Sequence, residues 1–401
     1  MSDLSDFVLR TGEQLAWMAH DRALAGYVAR RDGIPGSVDD IDAAWLSEAL
    51  QASFPGAVVG SVRRVGGHSG TTTRARIELS YSEKSEGGDA GEPPRRLFVK
   101  TTPASLGTRL FTGVLQLGLG EVGFYRDIRD SVPTPTPRAY CARVAPGGGR
   151  FVILLEDLAE RGCRFTTIDD PLSLDEVRAV VRNLARFHAA FWESPRFAGD
   201  LAWVKSRRNN PHRGVERMIS ARANDPAIAR HRDLLPEVVC KNAHRISEQR
   251  ELLEDYWSEG PLTLIHGDSH VGNMYFDGEE AGLLDWQMPQ RSQGIRDVGY
   301  FLVNSLDTEL RRAHQDELIE LYLSVLERSG VPRSHLDRQE MWCRYRGHAL
   351  YVWIASSVTA ATPGLQPEAV ARRAMQRTGD ALEDLASFEL LDELSARSGR
   401  R

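Results

Sequence analysis

Residues 262–297 constrain the fold of this chain more than any other stretch. Two short apolar runs, 262–265 and 274–276, flank a polar loop, and the second run stops at an Asp-Gly dipeptide, a strong local signal for a tight turn between strands. A third run, 281–284, leads directly into Asp285. The pattern predicts three short β-strands with polar side chains at their ends. Side chains in such positions are held rigidly over a cleft, so this stretch predicts a functional site.

The polar residues of this stretch suit magnesium-assisted phosphoryl transfer. Asn273 and Asp285 would supply one neutral oxygen and one carboxylate. This is a poor cage for Ca²⁺ but suits Mg²⁺, which keeps several waters and takes further ligands from substrate phosphates. Asp268 is then free to accept or orient the proton of an attacking hydroxyl group. We expect His266 to be a buried imidazole that fixes the loop.

The same loop allows a second interpretation. His266, Asp268 and His270 alternate as H-x-D-x-H, and imidazole and carboxylate groups are ligands for Zn²⁺ or Fe. A metal-dependent hydrolase built on these three side chains is therefore an alternative. It would leave Asn273 and Asp285 without a role, and the sequence offers no further His nearby.

The spacing of these residues resembles that of a known superfamily. The loop from His266-Gly267-Asp268 to Asn273, followed by a hairpin and Asp285, resembles the phosphotransferase loop of the protein-kinase-like superfamily. Gly267 stands where protein kinases usually carry Arg, and Leu-Asp-Trp around Asp285 replaces Asp-Phe-Gly. Both departures point to the small-molecule branch, which comprises the aminoglycoside phosphotransferase, choline kinase and ecdysteroid-kinase-like families.

The resemblance spans about residues 57–360 and implies an α+β, two-lobed protein-kinase-like fold. The small lobe would be built on an antiparallel sheet, and the large lobe would be mainly helical. A chain of 401 residues with 41% hydrophobic and 26% charged residues is long enough for two such lobes. We expect an N-terminal helical extension packed on the first lobe (1–56), a nucleotide-binding lobe (57–157), a helical lobe with the catalytic loop (158–394) and a polar tail (395–401).

The implied activity is transfer of the γ-phosphate of ATP, or of GTP as the alternative donor, to a hydroxyl group of a small molecule, with Mg²⁺ as the metal. Asp268 would position the acceptor hydroxyl, and Asn273 and Asp285 would hold the metal. His270 would be a second contact to the γ-phosphate. Asp297 would brace the catalytic loop, although it could simply cap the helix that follows it.

The first lobe contains a lysine that the resemblance places at the phosphates. Lys occurs only at four positions in this chain, so Lys100, at the end of the apolar run 97–99, is expected to be functional. A flexible ammonium group suits the α- and β-phosphates of a nucleotide. Glu121 is the expected ion-pair partner of Lys100, with Asp127 and Glu156 as rival acids.

Two further segments of the first lobe resemble nucleotide-contacting parts of the family. Residues 73–81 alternate between apolar and polar side chains, as half-buried strands do, and the Gly-, Ser- and Thr-rich loop 66–72 precedes them. Backbone N–H groups of such a loop can approach phosphate oxygens, although a plain turn would look the same. The strand 151–155 runs into a junction that resembles the adenine-binding hinge. We therefore expect nucleotide contacts from Gly67, Ser69, Gly70 and Thr71 in the loop, and from Glu156 and Leu158 at the junction.

Charge and composition restrict the partners of the protein. The net charge of -6 argues against a nucleic-acid binder, and no apolar run reaches the length of a signal sequence or a membrane span. Four scattered cysteines are expected to be reduced thiols, so we expect a cytoplasmic enzyme with a nucleotide and a small hydroxylated substrate as partners. A kinase-like pseudoenzyme or binding protein is the alternative. The joint presence of Lys100, Asp268, Asn273 and Asp285 argues against that alternative.

Overall fold

A five-stranded antiparallel sheet forms the small lobe of the computed structural model, which describes residues 3–23, 33–83, 91–362 and 366–398. Its strands are β1 (Val58–Ser69), β2 (Thr73–Glu83), β3 (Arg96–Thr101), β4 (Ala139–Val144) and β5 (Phe151–Glu156). They lie in the order β1-β2-β3-β5-β4. In β2, Ala75, Ile77 and Leu79 are buried and the residues between them are partly exposed. The period of two therefore correctly predicted a half-buried strand.

Among its described residues, the first third of the chain forms four α-helices: α1 (Asp3–Ala23), α2 (Ala43–Leu50), α3 (Leu106–Val114) and α4 (Leu117–Gly123). Helix α2 packs on one face of the sheet, where Leu46 and Leu50 join the apolar side chains of β2. The side chain of Asp42 caps its first turn by accepting a hydrogen bond from the Trp45 N–H. Helix α4 packs on the opposite side, against β4 and β5, and places Glu121 behind the sheet.

We expected the N-terminal extension to pack on the first lobe, but the structure shows that it contacts both lobes. Helix α2 packs on the first lobe, but α1 also contacts a helix of the large lobe, residues 213–231. The physical reason is the small side chains that face α1. A Cβ on Gly113 of the small lobe would collide with Gln14, and one on Gly214 of the large lobe would lie 2.9 Å from an oxygen of Asp6. Helix α1 therefore bridges the two lobes.

The large lobe is built from helices. They are α5 (Leu174–Ala190), α6 (Arg213–His231), α7 (Glu237–Asn242), α8 (His244–Glu248), α9 (Arg250–Tyr256), α10 (Ile295–Ser305), α11 (Thr308–Arg328), α12 (Arg338–Ala361), α13 (Glu368–Asp384) and α14 (Ser387–Ser398). Helix α14 extends beyond residue 395, where a polar tail was predicted to begin, and residues 399–401 lie outside the described part. Within the described ranges, each helix is too short or too polar to span a bilayer.

Short strands carry the predicted site between these helices. They are β6 (Arg164–Phe165), β7 (Thr263–Ile265), β8 (Met274–Asp277), β9 (Glu280–Leu283) and β10 (Gln290–Ser292). The three strands predicted from the apolar runs are β7, β8 and β9, and the turn between β8 and β9 holds Gly278 at a φ of +60°. Strand β7 pairs with β10, and β8 also pairs with β6. The predicted α+β architecture with a small sheet lobe and a large helical lobe is confirmed.

Candidate active site

Four charged side chains form an ion-pair network where β2, β3, α4 and the end of β9 meet. Lys100 Nζ lies 2.5 Å from Glu121 Oε1 and 2.8 Å from Asp285 Oδ1. Arg74, directly opposite Lys100 in the sheet, places a guanidinium nitrogen 2.9 Å from Asp285 Oδ2. The Lys100 and Glu121 side chains are almost completely buried. Two cations and two carboxylates therefore balance one another at the floor of the cleft.

The rival acids for Lys100 have other partners. Asp127 pairs with the adjacent Arg126. Glu156 Oε1 accepts a hydrogen bond of 2.8 Å from the Arg138 main-chain N–H. Glu121 is therefore the helix acid that reaches Lys100, as the resemblance implied.

The two carboxyl groups of the network respond differently to their surroundings. Burial raises the pKa of Glu121, because the nearby charge of Lys100 only partly offsets the loss of solvent. Burial also disfavours ionisation of Asp285, but the positive charges of Lys100 and Arg74 outweigh it and lower the pKa of Asp285 to about 2. Asp285 is therefore an anion at neutral pH, as a metal-binding carboxylate must be.

The backbone directs the Asp285 carboxylate into the cleft. Asp285 has a φ of +62°, a left-handed conformation that is strained for a residue other than glycine. The Leu284 N–H donates to the Asn273 carbonyl (2.8 Å), and the Gln287 N–H donates to the Asp285 carbonyl (2.8 Å). Trp286 is fully buried and stacks on Phe124, with ring centroids 3.8 Å apart. The strained turn thus separates a buried Trp286 from a carboxylate that faces Lys100.

Asp268 and Asn273 lie close together on the loop between β7 and β8. Asn273 Nδ2 donates to the Asp268 carbonyl (2.9 Å) and to Asp268 Oδ2 (3.1 Å). His270 Nε2 lies 3.7 Å from the same carboxylate oxygen, while its Nδ1 accepts from the Gly272 N–H. The Asp268 side chain stays about one third exposed. Its carboxylate is therefore oriented by Asn273 and still open to a substrate.

Asp297 holds this loop from below. The main-chain N–H groups of His266 and Gly267 donate to its two carboxylate oxygens, at 2.6 and 3.0 Å. His188 Nε2 lies 3.3 Å from Asp297, and its Nδ1 lies 2.9 Å from the Tyr322 hydroxyl. Burial opposes ionisation of Asp297, but these contacts lower its pKa. Gly294 is the N-cap of α10, so Asp297, in the first turn, does not cap this helix, and its carboxylate instead contacts the loop.

His266 is a buried link between the two catalytic segments. Its Nδ1 accepts from the Asp268 N–H (3.2 Å), and its Nε2 faces the Leu284 carbonyl (2.8 Å), to which it donates. Both ring nitrogens are therefore used, and neither is left to bind a metal ion. Within the described part of the chain, no group of three or more His, Cys, Asp or Glu side chains could hold a metal. The H-x-D-x-H interpretation as a metal-dependent hydrolase has no support in this geometry.

Asn273 and Asp285 fit a metal that takes few protein ligands. Both side chains line the cleft. Asp268 uses the amide nitrogen of Asn273, which leaves the amide oxygen for a ligand in the cleft. One amide oxygen and one ionised carboxylate are the kind of incomplete donor set that suits Mg²⁺ bound together with phosphates.

The cleft between the lobes has a volume of about 230 Å³. Lys100, Glu121 and Asp285 are among the residues that line it. The lining also includes the apolar side chains of Phe98 and Phe165, and Leu155, Glu156 and Leu158 at the expected hinge. Glu156 and Leu158 therefore lie at the cleft, as expected.

The glycine-rich segment differs from the predicted loop. Strand β1 extends through Ser69, so Gly67 and Ser69 belong to the strand, and only residues 70–72 turn. A Cβ on Gly67 would lie 2.7 Å from the Arg74 carbonyl, so this glycine allows close strand pairing. Of the four predicted loop contacts, Gly67, Gly70 and Thr71 do not line the cleft, and the side chain of Ser69 lies outside the described part.

Sequence reasoning missed two side chains of the site. Arg74 appeared only as a polar residue of an alternating strand, although its position opposite Lys100 marks it as facing the same way. Tyr300, in helix α10, was not singled out. Burial and the nearby charge of the Asp268 carboxylate raise the pKa of Tyr300 well above its ordinary value. Tyr300 is therefore a second side chain close to Asp268.

Comparison with known families agrees with this geometry. The sequence model of the ecdysteroid kinase-like family matches residues 68–330, more than half of the chain. The chain belongs to this family. Ecdysteroid kinase-like proteins are part of the protein-kinase-like superfamily, so the predicted membership of its small-molecule branch is confirmed. No curated protein matches the sequence.

Solved structures similar to this ecdysteroid kinase-like protein are distant in sequence. Plasmodium vivax ethanolamine kinase is 11% identical, with 81% of this chain and 83% of that chain covered and a TM-score of 0.48. A choline/ethanolamine kinase family protein from Mesorhizobium loti is 15% identical, with coverages of 82% and 92% and a TM-score of 0.45. A thermostable aminoglycoside phosphotransferase mutant in complex with ADP and hygromycin B is 13% identical, with coverages of 86% and 98% and a TM-score of 0.43. The family assignment therefore rests on the sequence match.

Proposed function

We propose that this protein transfers the γ-phosphate of ATP or GTP to a hydroxyl group of a small molecule. The observation that carries the proposal is the convergence of two segments on one cleft. The Lys100–Glu121 pair reaches Asp285 from the small lobe, and Asp268 is hydrogen-bonded to Asn273 in the large lobe. Phosphoryl transfer needs a phosphate-binding cation, metal ligands and a carboxylate that positions the nucleophile, and these residues supply all three.

Each residue has a definite part in this proposal. Asn273 and Asp285 would hold Mg²⁺, which neutralises developing charge on the phosphate oxygens when it is bound. Lys100, aligned by Glu121, binds the α- and β-phosphates. Asp268 takes the proton of the acceptor hydroxyl group. At the same time, the hydroxyl oxygen of the acceptor forms a bond to the γ-phosphorus, and the bond from the γ-phosphorus to the leaving nucleoside diphosphate breaks.

We further propose an acceptor site beside the catalytic loop. A cavity of about 310 Å³ there has a mainly apolar lining, which includes Leu117, Leu119, Trp203, Pro211, Met288 and Pro289. Met288 packs so closely on Gly267 that a Cβ there would lie 2.3 Å from the Met288 carbonyl oxygen. Gly267 precedes Asp268, so the cavity adjoins the proposed base.

The cavity lining favours an uncharged acceptor with an apolar surface. Trp203 Nε1, Gln287 Nε2 and both ring nitrogens of His212 are buried without a hydrogen-bond partner among the described residues. Their N–H groups could donate to oxygens of a ligand. The acid of the lining, Glu216, already accepts hydrogen bonds from Asn210 (2.8 Å) and Arg207 (3.4 Å). A cationic acceptor would therefore find little free negative charge there.

Thermal unfolding with ATP or GTP, each with and without Mg²⁺, tests the nucleotide site. A ligand that binds only the folded protein raises the unfolding temperature according to its affinity. We expect a Mg²⁺-dependent rise that Asp285→Ala removes. The matched control is Asp130→Asn, a change in a side chain that is 93% exposed, and it should keep the rise. If neither ATP nor GTP raised the unfolding temperature, the result would contradict the proposal.

Asp268→Asn separates an enzyme from a kinase-like binding protein. Because Asp268 acts on the acceptor, the variant should keep the Mg²⁺-nucleotide rise but lose transfer to alcohols by about 10²- to 10⁴-fold. Transfer would be measured as nucleoside diphosphate release with uncharged alcohols and amino alcohols as acceptors. A wild-type protein that binds nucleotide but transfers no phosphate to any alcohol would favour the binding protein.

A further inference from the structure

Both carboxylate oxygens of Asp285 are already occupied by cations. Lys100 Nζ lies 2.8 Å from Oδ1, and an Arg74 guanidinium nitrogen lies 2.9 Å from Oδ2. A divalent cation that approached either oxygen would meet a positive charge at close range, and this repulsion is strong in a buried site. If one of the two side chains moves away, an oxygen of Asp285 becomes fully available to a metal ion.

Arg74 is the side chain that is free to move. Lys100 is only 4% exposed and is held by Glu121 at 2.5 Å. The Arg74 side chain is 34% exposed, and its Nε donates a hydrogen bond of 3.2 Å to the Thr72 hydroxyl at the end of the β1–β2 hairpin. A partly exposed guanidinium group can move more easily than a buried lysine that is paired with Glu121.

The charges of the site indicate which group Arg74 pairs with when the nucleotide is bound. Lys100 and Arg74 offset Glu121 and Asp285 in the nucleotide-free site. When Asp285 turns to a metal ion, Arg74 loses its carboxylate partner. The triphosphate that arrives with the metal offers anionic oxygens beside Lys100, which is the cross-strand neighbour of Arg74. The planar guanidinium fork is well suited to bind two phosphate oxygens at once.

We propose that Arg74 is a second phosphate-binding residue that covers Asp285 until the nucleotide arrives. Its guanidinium group pairs with Asp285 in the nucleotide-free protein and pairs with the triphosphate in the complex. This inference rests on the proposed function of the cleft as a nucleotide site. It also explains how metal and nucleotide bind together, because the metal alone meets a covered carboxylate.

Calorimetric titration with Mg²⁺-ATP and with adenosine tests the phosphate contact. Arg74→Gln should weaken Mg²⁺-ATP binding about tenfold, because a charge-assisted hydrogen bond to phosphate is lost. Adenosine binding should not change, and Arg74→Lys should recover part of the loss. The matched control is Arg63→Gln on the neighbouring strand, where the side chain is 72% exposed and pairs with Glu78. This control should bind both ligands as the wild type does.

The proposal would be overturned if Arg74→Gln did not weaken Mg²⁺-ATP binding. If Arg74 only competes with the metal for Asp285, Arg74→Gln will leave Mg²⁺-ATP binding unchanged or make it tighter. Equal losses for adenosine and Mg²⁺-ATP would assign Arg74 a structural part in the cleft and also overturn it. A wild-type protein that binds neither Mg²⁺-ATP nor Mg²⁺-GTP would refute the proposed function itself, and the inference with it.

Titration with Mn²⁺ alone tests the covering role, with binding followed by electron paramagnetic resonance. In Arg74→Gln one oxygen of Asp285 is uncovered, so Mn²⁺ without nucleotide should bind several-fold more tightly than it binds the wild type. Arg63→Gln should not differ from the wild type. Equal Mn²⁺ affinity in Arg74→Gln and the wild type would show that Arg74 does not cover Asp285.

Discussion

The buried histidines of the large lobe differ in how fully their rings are hydrogen-bonded. His188 and His266 each use both ring nitrogens, at Tyr322 and Asp297 and within the catalytic loop respectively. His348 Nε2 contacts Gln293 Oε1 at 2.9 Å, but its Nδ1 has no partner among the described residues. Burial, and then the charges of nearby arginines, lower the pKa of His348 well below its ordinary value. His348 is therefore neutral in the folded protein.

This neutral histidine predicts a loss of stability in acid. Below about pH 6.5, the unfolded chain protonates His348 while the folded protein does not, so the unfolded state binds more protons and stability falls as pH falls. His348→Gln removes this proton. Its free energy of unfolding should depend less on pH than that of the wild type, by up to about 1.4 kcal/mol per pH unit below pH 6. Urea unfolding between pH 5 and pH 7.5 measures this difference.

The control for His348 is a histidine on the surface. The His244 side chain is 54% exposed, so His244→Gln should reproduce the wild-type pH dependence. If His348→Gln also kept the wild-type slope, proton uptake by His348 would not contribute to acid destabilisation.

Among the elements, helix α4 couples the ion-pair network to the segment after Asp285. A Cβ placed on Gly120 would lie 2.4 Å from the Gln287 carbonyl oxygen, and one on Gly123 would lie 2.6 Å from the Trp203 ring. These contacts involve backbone and a half-buried ring, neither of which can yield easily. The helix that carries Glu121 therefore packs closely on the large lobe at two glycines.

Gly120→Ala should push this helix away from the large lobe. The shift would lengthen the Lys100–Glu121 contact, so we expect Mg²⁺-ATP binding and phosphoryl transfer to fall at least about tenfold, as misplacement of a positioning group does. Gly107→Ala in helix α3 is the matched control, because its Cβ would meet only the Ser105 hydroxyl at 3.9 Å. That change should leave binding intact. Calorimetry with Mg²⁺-ATP checks both variants. Equal affinities of Gly120→Ala and Gly107→Ala for Mg²⁺-ATP would show that the close packing of α4 on the large lobe does not position Glu121.

How far sequence alone predicts these elements depends on whether a local pattern is unique. The period of two in β2 and the Asp-Gly turn each have one common structural meaning, so strands and hairpin were predicted correctly. Glycines in 66–72 are compatible with both loop and strand, and pairing with β2 decided for the strand. Arg74 was missed because an alternating strand does not reveal whether its polar face meets solvent or a cleft. Tyr300 was missed because a helical period places it in the core and does not reveal that Asp268 lies nearby.

For the molecule as a whole, helix α1 connects the two lobes. At one end, Asp6 packs at Gly214 of helix α6. Near the other end, Asp21 lies 3.4 Å from Arg150, a side chain that is 5% exposed. Burial lowers the pKa of Arg109, and the charge of Asp21 opposes this change, so Asp21 faces a second guanidinium group of the small lobe. Asp21 therefore fastens α1 to the small lobe through two cations.

Asp21→Asn should loosen the small-lobe end of α1. Without the carboxylate, the charges of Arg109 and buried Arg150 repel each other, which should lower the free energy of unfolding by about 2 kcal/mol or more. Hydrogen exchange should become faster in α1 and α3, while the hairpins that carry Asp268 and Asp285 keep their protection. Asp175→Asn is the control, because that side chain is 91% exposed. Hydrogen exchange by mass spectrometry distinguishes the outcomes: an increase spread evenly over both lobes would mean that Asp21 stabilises the whole fold and does not serve as a local attachment of α1.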